Sequence, residues 1–450
     1  MAPKTPSLIE LAGRAVPRYT SYPTAPHFHA GIDGLVYRQW LAQLSPCTSL
    51  SLYLHVPFCA AMCSYCGCHT KVVRRVEPVL RYRNQLTGEI DLVASATVAR
   101  KVRHLHWGGG TPSMLGAEGL AAVIDRLALR FDLADDLEHA IELDPRHVSK
   151  ALAADLRRLG VSRASLGVQD FNPHVQAAIG RVQPYAVAAA AVDALREAGI
   201  AAISFDLMYG LPGQSAEDVA RTIERAVTLA PDRIALFGYA HVPWFKTHQR
   251  LIDEAALPDA ATRLAQEARA RGHLLAMGYE AVGLDHFALP GDAMARAARD
   301  KGLRRNFQGY ATDSADALIG LGASAIGQLP QGFVQNATDL AGYGRAIEQG
   351  SPATTRGLRL SPEDRLRAKV IGDLMCAMTA DLQEVADRFH VDATLFDEDI
   401  RRLAPLTDQG LVSWDGRRIG VPEAGRPYLR LVASAFDAHL AKAGRHSRAV

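Results

Sequence analysis

Nowhere in this sequence do 18 apolar residues run together, so no segment reads as a transmembrane helix. Residues 1–26, MAPKTPSLIELAGRAVPRYTSYPTAP, lack a continuous apolar stretch with a small-residue cleavage pattern behind it, and no signal peptide is expected. Neither charge is in excess: 50 Lys and Arg face 48 Asp and Glu, with no basic tail. Nucleic acid and anionic membranes are therefore not default partners. Internal repeats and low-complexity tracts are missing as well. Cysteine is scarce, six in 450 residues, yet four of the six fall within residues 59–68, CAAMCSYCGC. A cytoplasmic location is expected, where thiols stay reduced, so a metal site explains the cluster better than a disulfide framework.

The chain is 48% hydrophobic and 22% charged, ordinary values for a soluble globular protein with a large core. Its length suggests two domains, or one large domain with appendages. Apolar β-rich runs at 51–56, 102–107, 139–144, 163–168, 202–207 and 233–239 alternate with helical patterns at 79–96, 117–131, 149–160, 186–199 and 215–229. Such alternation predicts parallel strands joined by right-handed crossovers, in a partial or full β/α barrel. Barrel chemistry gathers where strands end. At those ends stand the cysteines, Gly108-Gly109-Gly110-Thr111-Pro112, Glu142, Gln169, Asp206 and Tyr239-Ala240-His241. A mixed stretch covers about 245–350. From Ser361 the pattern changes to three helices and a hairpin-like LVSWDGRRIGV, which resembles a winged helix. Without a dense Lys/Arg face, packing or covering a substrate is its expected use.

Cys59-x3-Cys63-x2-Cys66 places three thiols on one loop, enough to hold three irons of a cubane iron–sulfur cluster and leave one iron open. The competing reading is a structural zinc knuckle that takes Cys68 or His69 as fourth ligand. The histidines His55, His104, His106, His241 and His286 read as hydrogen-bonded structural residues.

C-x3-C-x2-C after the first strand of a β/α chain resembles the radical S-adenosylmethionine (SAM) superfamily. PRYTSYPTA (17–25), SLYLHVPFC with CGC (51–68), HLHWGGGTP (104–112), IELDPR (141–146), SLGVQDFN (165–172), DLMYGLP (206–212), YAHVP (239–243), DHFALP (285–290) and RNFQGY (305–310) resemble the oxygen-independent coproporphyrinogen III oxidases. The resemblance implies an α/β fold: a partial (β/α)6 barrel with an N-terminal arm and a mainly helical, winged-helix-like C-terminal domain. The expected boundaries are 1–45 for an arm covering the site, 46–350 for the barrel with its extension, and 351–450 for the C-terminal domain. It implies a [4Fe–4S] cluster on Cys59, Cys63 and Cys66, with SAM as cofactor in two molecules. Tyr53, Gly109, Gly110, Thr111, Glu142 and Ile326 match positions around the first SAM. Tyr65, Gln169, Arg181, Asp206 and Ala240 match positions around the second. Phe307 and Gln308 are expected to line the pocket, and Cys68 to serve turnover rather than the cluster.

The implied reaction is oxidative decarboxylation of two propionates of coproporphyrinogen III to vinyl groups in haem biosynthesis. The implied partners are that substrate and an unidentified electron donor and acceptor, and the implied oligomeric state is a monomer. Arg18, Arg304 and Arg305 are candidates to meet substrate carboxylates. The alternative within the superfamily is a haem-binding chaperone. Such relatives generally have an aromatic residue in place of the fourth cysteine and lack the PRYTSYPTA arm; this chain has both Cys68 and the arm.

Overall fold

A computed structural model of the chain describes residues 6–440 and 448–449. Residues 1–5 of the expected arm lie outside the described residues. The six expected strands form as β1 (Leu50–Val56), β2 (Lys101–Gly109), β3 (Asp132–Leu143), β4 (Arg163–Gln169), β5 (Ala202–Tyr209) and β6 (Arg233–Gly238), consecutive and parallel in one sheet. The five expected helices between them form at Glu77–Ala96, Gly116–Arg130, Lys150–Arg158, Tyr185–Glu197 and Ala216–Thr228. Strand residues alternate between faces. Leu50, Leu52, Leu54 and Val56 of β1 enter the main core with Tyr82, Leu86 and Ile90 of the first helix. This leaves Ser51, Tyr53 and His55 on the concave side.

The sheet extends beyond the expected six strands. The mixed stretch supplies β7 (Glu280–Val282), β8 (His286–Ala288), β9 (Ala317–Leu321), β10 (Ile326–Leu329) and β11 (Gly332–Asn336), and β12 (Thr354–Arg359) follows. The full order is β12-β11-β10-β9-β1-β2-β3-β4-β5-β6-β8-β7. Strand β9 runs parallel to β1, so seven strands are parallel, whereas β8 and β10 join antiparallel. The two ends of the order do not pair with each other, which leaves the barrel partial.

Helix Gly34–Ala42 commits Tyr37, Trp40 and Leu41 to the main core. The residues before it belong elsewhere: Leu11, Ala12, Val16, Tyr19 and Tyr22 share a second core with the C-terminal helices. Tyr19 Oη donates to Asp437 Oδ2 at 2.9 Å, and Arg430 Nε donates to the Pro17 carbonyl at 2.9 Å. After Ser361 a capping box with Asp364 opens helix Pro362–Ala377, followed by Leu382–Phe389 and Asp397–Arg402. The hairpin Ser413–Asp415 and Arg418–Gly420 pairs with a third short strand, Thr379–Asp381.

Candidate active site

Strand β1 ends at Val56, and Phe58–Cys59 then pairs in parallel with Lys71–Val72, Cys59 opposite Val72. This pairing closes residues 60–70 into a loop that carries Cys63, Cys66 and Cys68. All four thiols are free. Each of the first three sulfurs faces a hydrogen-bond donor. Thr70 Oγ1 donates to Cys59 Sγ at 3.1 Å, Arg181 Nη1 to Cys63 Sγ at 3.4 Å, and the Cys68 amide to Cys66 Sγ at 3.4 Å. Donors aimed at sulfur favour the thiolate, the form that binds iron. Burial pushes the Cys59 thiol up, against the hydrogen bonds from Thr70 and Thr111. The Cys68 side chain and amide hold the Cys66 thiol below its ordinary range. Among the described residues, no three His, Cys, Asp or Glu side chains converge closely enough for one metal ion. A cubane cluster takes one thiolate per iron, and three thiols on this loop each have a donor to support one. The donor set fits the cluster.

Beside the loop lies a polar mouth on the concave face. The Tyr53 hydroxyl donates to His55 Nδ1 at 3.0 Å, and His55 Nε2 donates to the His69 carbonyl at 2.9 Å. Burial lowers the His55 pKa and keeps the ring neutral, as this relay requires. His106 Nε2 donates to Glu142 Oε1 at 3.1 Å, and the Tyr53 ring stacks on His106 at 5.9 Å. Tyr53 and Glu142 thus share one wall.

The glycine run is tied into the surrounding backbone. Its amides are not left free for a ligand: Gly109 N–H donates to Glu142 Oε2, Gly110 N–H to the Val56 carbonyl and Thr111 N–H to the Phe58 carbonyl. A Cβ on Gly110 would stand 2.4 Å from Thr70 Oγ1 and 2.5 Å from the Phe58 carbonyl oxygen. Gly110 is glycine because the cluster loop packs directly against it, whereas Gly108 and Gly109 make room for Tyr53, Glu142 and the His55 ring.

The second group of expected residues gathers around Arg181. This buried guanidinium donates through Nη1 to Cys63 Sγ and to Asp144 Oδ2 (3.3 Å), and through Nη2 to the Gly167 carbonyl (2.8 Å). Burial alone would push the Asp144 carboxyl up, but hydrogen bonds from Arg146 and the charge of Arg181 hold it below its ordinary value. Gln169, at φ +67°, adopts the left-handed backbone, and its Nε2 lies 3.0 Å from where a Gly167 Cβ would be. Asp206 sits three residues before the end of β5 rather than at its end. It accepts from Ser165 Oγ at 3.4 Å, and burial, aided by the charge of Glu142, pushes its carboxyl up to about 7. Gln249 Nε2 bridges the carbonyls of Tyr65 (2.8 Å) and Ala240 (3.2 Å), tying the cluster loop to the end of β6. Sequence reasoning missed Gln249, Thr70 and Asp144, because their partners are distant in sequence.

Ile326 and Phe307 pack against one small apolar cluster of Phe28, Phe333 and Leu358. Gln308 Nε2 is buried without a hydrogen-bond partner. Of the three candidate arginines, Arg18 Nη2 donates to the Gly238 carbonyl at 2.9 Å, Arg305 lies 3.7 Å from Asp285, and Arg304 is exposed. The five named histidines are each held by a polar partner: His55 and His106 as described, His104 by Asp313, His241 by Tyr239 and Glu254, His286 by Asp285.

A cluster loop after the first barrel strand, with a carboxylate and an aromatic hydroxyl facing it, defines a radical SAM enzyme, and residues 53–226 match the Radical SAM superfamily. Residues 360–428 match the HemN C-terminal domain. The chain is 48% identical to an oxygen-independent coproporphyrinogen III oxidase of Bradyrhizobium diazoefficiens, over 97% of either chain. It is 37% identical to the Escherichia coli oxidase of that name, over 98% of this chain and 96% of the other. The solved structure of E. coli coproporphyrinogen III oxidase, HemN, described as a radical SAM enzyme, superposes with a TM-score of 0.90 over 95% of this chain and all of that one. The chain belongs to the oxygen-independent coproporphyrinogen III oxidase family, whose cofactors are a [4Fe–4S] cluster and SAM.

Proposed function

We propose that this chain converts two propionate side chains of coproporphyrinogen III to vinyl groups without oxygen, giving protoporphyrinogen IX. The observation that carries this reading is the meeting of three donor-supported thiols, Cys59, Cys63 and Cys66, with the Tyr53–Glu142 wall at one barrel mouth. When bound, the cluster and SAM supply a 5′-deoxyadenosyl radical that takes a hydrogen atom from the propionate β-carbon; carbon dioxide leaves and an acceptor takes the remaining electron.

The protein's part is positioning and exclusion of water. Glu142, oriented by His106 and the Gly109 amide, keeps a carboxylate in place for the ammonium and hydroxyl groups of SAM. Ile326 and Phe307 offer an apolar wall to its adenosine. Arg181, Asp206, Gln169, Tyr65 and Ala240 form the place of a second SAM. Gln308 keeps an unpaired donor beside the same wall. A cleft of about 910 Å³ runs from Ser51 and Leu318 of the barrel to Arg304, Arg305 and Lys369. Its size suits a tetrapyrrole, and Arg304 and Arg305, which line it among acidic as well as basic side chains, are placed to meet carboxylates.

Residues 17–25, anchored through Tyr19 and Tyr22 in the C-terminal core, serve in this reading as the cover that shields the radical from water. In this reading the covering arm expected over 1–45 ends before helix Gly34–Ala42, which packs in the barrel core, and the barrel expected to end at 350 runs on through β12 to Arg359, ahead of the C-terminal domain. The protein works as a cytoplasmic monomer, with an electron donor and an acceptor and without nucleic acid or membrane. Among the described residues no helix is long and apolar enough to cross a membrane. The haem-chaperone reading is not favoured beside family members that are named oxidases.

The test is an anaerobic assay of the reconstituted protein with SAM, a reductant and coproporphyrinogen III. Protoporphyrinogen and 5′-deoxyadenosine should accumulate, and Cys63→Ser should yield neither. Stable haem capture without turnover, or zinc in place of iron and sulfide, would overturn the reading.

A further inference from the structure

The cleft assigned to the tetrapyrrole holds an acid at its barrel end, where the carboxylates of that substrate would be repelled. On the concave face the register sets Ser51 beside His104 and, two residues on, Tyr53 beside His106. The Tyr53 pair belongs to the wall for SAM. The Ser51 pair lies about 6.6 Å below it, by the rise of a strand, and has no chemical task in the reaction described above. Residues 312–316, which lead into β9, set Asp313 against this lower layer. Asp313 Oδ1 accepts from the Ala315 amide at 2.9 Å and lies 3.5 Å from His104 Nε2. Asp313 and Ser51 both line the cleft of about 910 Å³.

Asp313 keeps one oxygen open. Among the described residues Oδ2 has no hydrogen-bond partner, nor has the Ser51 hydroxyl, and the Asp313 side chain is only 11% exposed. The other acids that line the cleft are engaged or solvated. Asp316 accepts from Ser49, Asp373 pairs with Lys369 and Asp381 with Arg418, and Glu384 is exposed. A largely buried carboxylate oxygen without a donor calls for a ligand that brings one. The ionised propionates of coproporphyrinogen III are acceptors and bring none. Its ring does: pyrroles joined by saturated carbons turn their N–H donors inward and offer no free lone pair.

We propose that Asp313, with Ser51 beside it, receives the pyrrole N–H groups of coproporphyrinogen III and so selects the reduced ring over the oxidised coproporphyrin III. The inference rests on the functional reading for the identity of the ring, and goes beyond it by assigning what recognises the oxidation state. The two rings carry the same propionates, so arginines at their periphery do not tell them apart. In coproporphyrin half of the nitrogens present lone pairs, which a carboxylate repels and which leave Oδ2 without its donor. His104 acts through Asp313. By facing Oδ1, together with the Ala315 amide, it leaves Oδ2 turned to the cleft, which makes it a positioning residue. A ring held by its nitrogens at the Ser51–Asp313 layer presents a propionate to the layer above, where Tyr53 and Glu142 stand.

The test uses the reconstituted holoenzyme without oxygen, wild type and Asp313→Asn, titrated separately with coproporphyrinogen III and coproporphyrin III. In the variant the Ala315 amide keeps the side-chain oxygen, so the NH2 group stands where the open oxygen was. Affinity for coproporphyrinogen III should fall by about tenfold or more, and its KM should rise in step with a smaller change in kcat. Affinity for coproporphyrin III should stay the same or improve, because a donor now meets its lone pairs. His104→Leu should move the ratio of the two affinities in the same direction by a smaller factor. Asp313→Ala removes the acceptor without adding a donor and should lose the selectivity as well. Cluster absorbance and SAM affinity should not change. A wild type that binds the two rings equally would overturn the proposal, whatever the variants do. So would an equal loss of affinity for both rings in Asp313→Asn, or no loss for either. A wild type that selects the reduced ring but forms no protoporphyrinogen would instead fail the functional reading and leave this assignment standing.

Discussion

The amide of Cys68 donates to the sulfur of Cys66 at 3.4 Å. The fourth cysteine thus supports a ligand through its backbone as well as its side chain, and a side-chain change leaves the backbone part in place. Cys68→Ser should keep the cluster's visible absorption and iron content and lose turnover by about a hundredfold, the order of a lost acid–base or positioning group. Loss of iron together with activity would make Cys68 a ligand.

Arg181 ties Cys63 to Asp144 in a buried place. Removing one member of a buried ion pair costs about 3–5 kcal/mol, and the remaining Arg146 partner puts the expected cost near the lower figure. Arg181→Met should therefore lower the melting temperature and weaken SAM binding, and Arg181→Lys should restore stability in part. Thermal melts and SAM titrations of the three proteins check this. Full affinity in the Met variant would contradict a role beside SAM.

Gly110 has no room for a side chain. Gly110→Ala must displace Thr70 and the Phe58 carbonyl, a rigid neighbour. Overpacking of this kind costs about 1–3 kcal/mol, and here the displaced atoms belong to the cluster loop. The variant should assemble its cluster poorly, whereas Gly116→Ala, which meets nothing within 4 Å although its φ is +70°, should assemble it normally. Iron and sulfide analysis of the two proteins separates them.

Asp206 gives a pH signature. Its carboxyl rises from 3.8 to about 7 in the folded chain. The folded state therefore holds a proton that the unfolded state has lost. The associated stability is complete below about pH 4 and disappears as pH rises through about 7. Asp206→Asn keeps a neutral group throughout. Allowing for its partial exposure, the SAM-free variant should gain about 2 kcal/mol over wild type at pH 8 and nothing at about pH 3, below the unfolded value. Denaturant unfolding at both pH values measures this, and an equal difference at both would contradict it.

The parts legible in the sequence are those whose chemistry is local. The spacing of Cys59, Cys63 and Cys66 needs one loop, and the six strand–helix alternations need only periodicity. Strands β9–β11 were hidden because they follow one another without helical punctuation, and the antiparallel additions β10–β12 give no crossover signal. The pairing of the Gly110 and Thr111 amides with the Val56 and Phe58 carbonyls joins segments more than 50 residues apart, and no short window contains it. The link from Arg181 to Asp144 and Cys63 spans three separate strand ends, and no short window contains it.

Hydrogen abstraction at the propionate β-carbon by a radical made from SAM at this site is the step on which the activity depends. Coproporphyrinogen III deuterated at that carbon tests it directly, with mass analysis of the 5′-deoxyadenosine formed by the wild-type protein. The account predicts deuterium in 5′-deoxyadenosine, in step with vinyl formation. Protoporphyrinogen formed alongside unlabelled 5′-deoxyadenosine would contradict it.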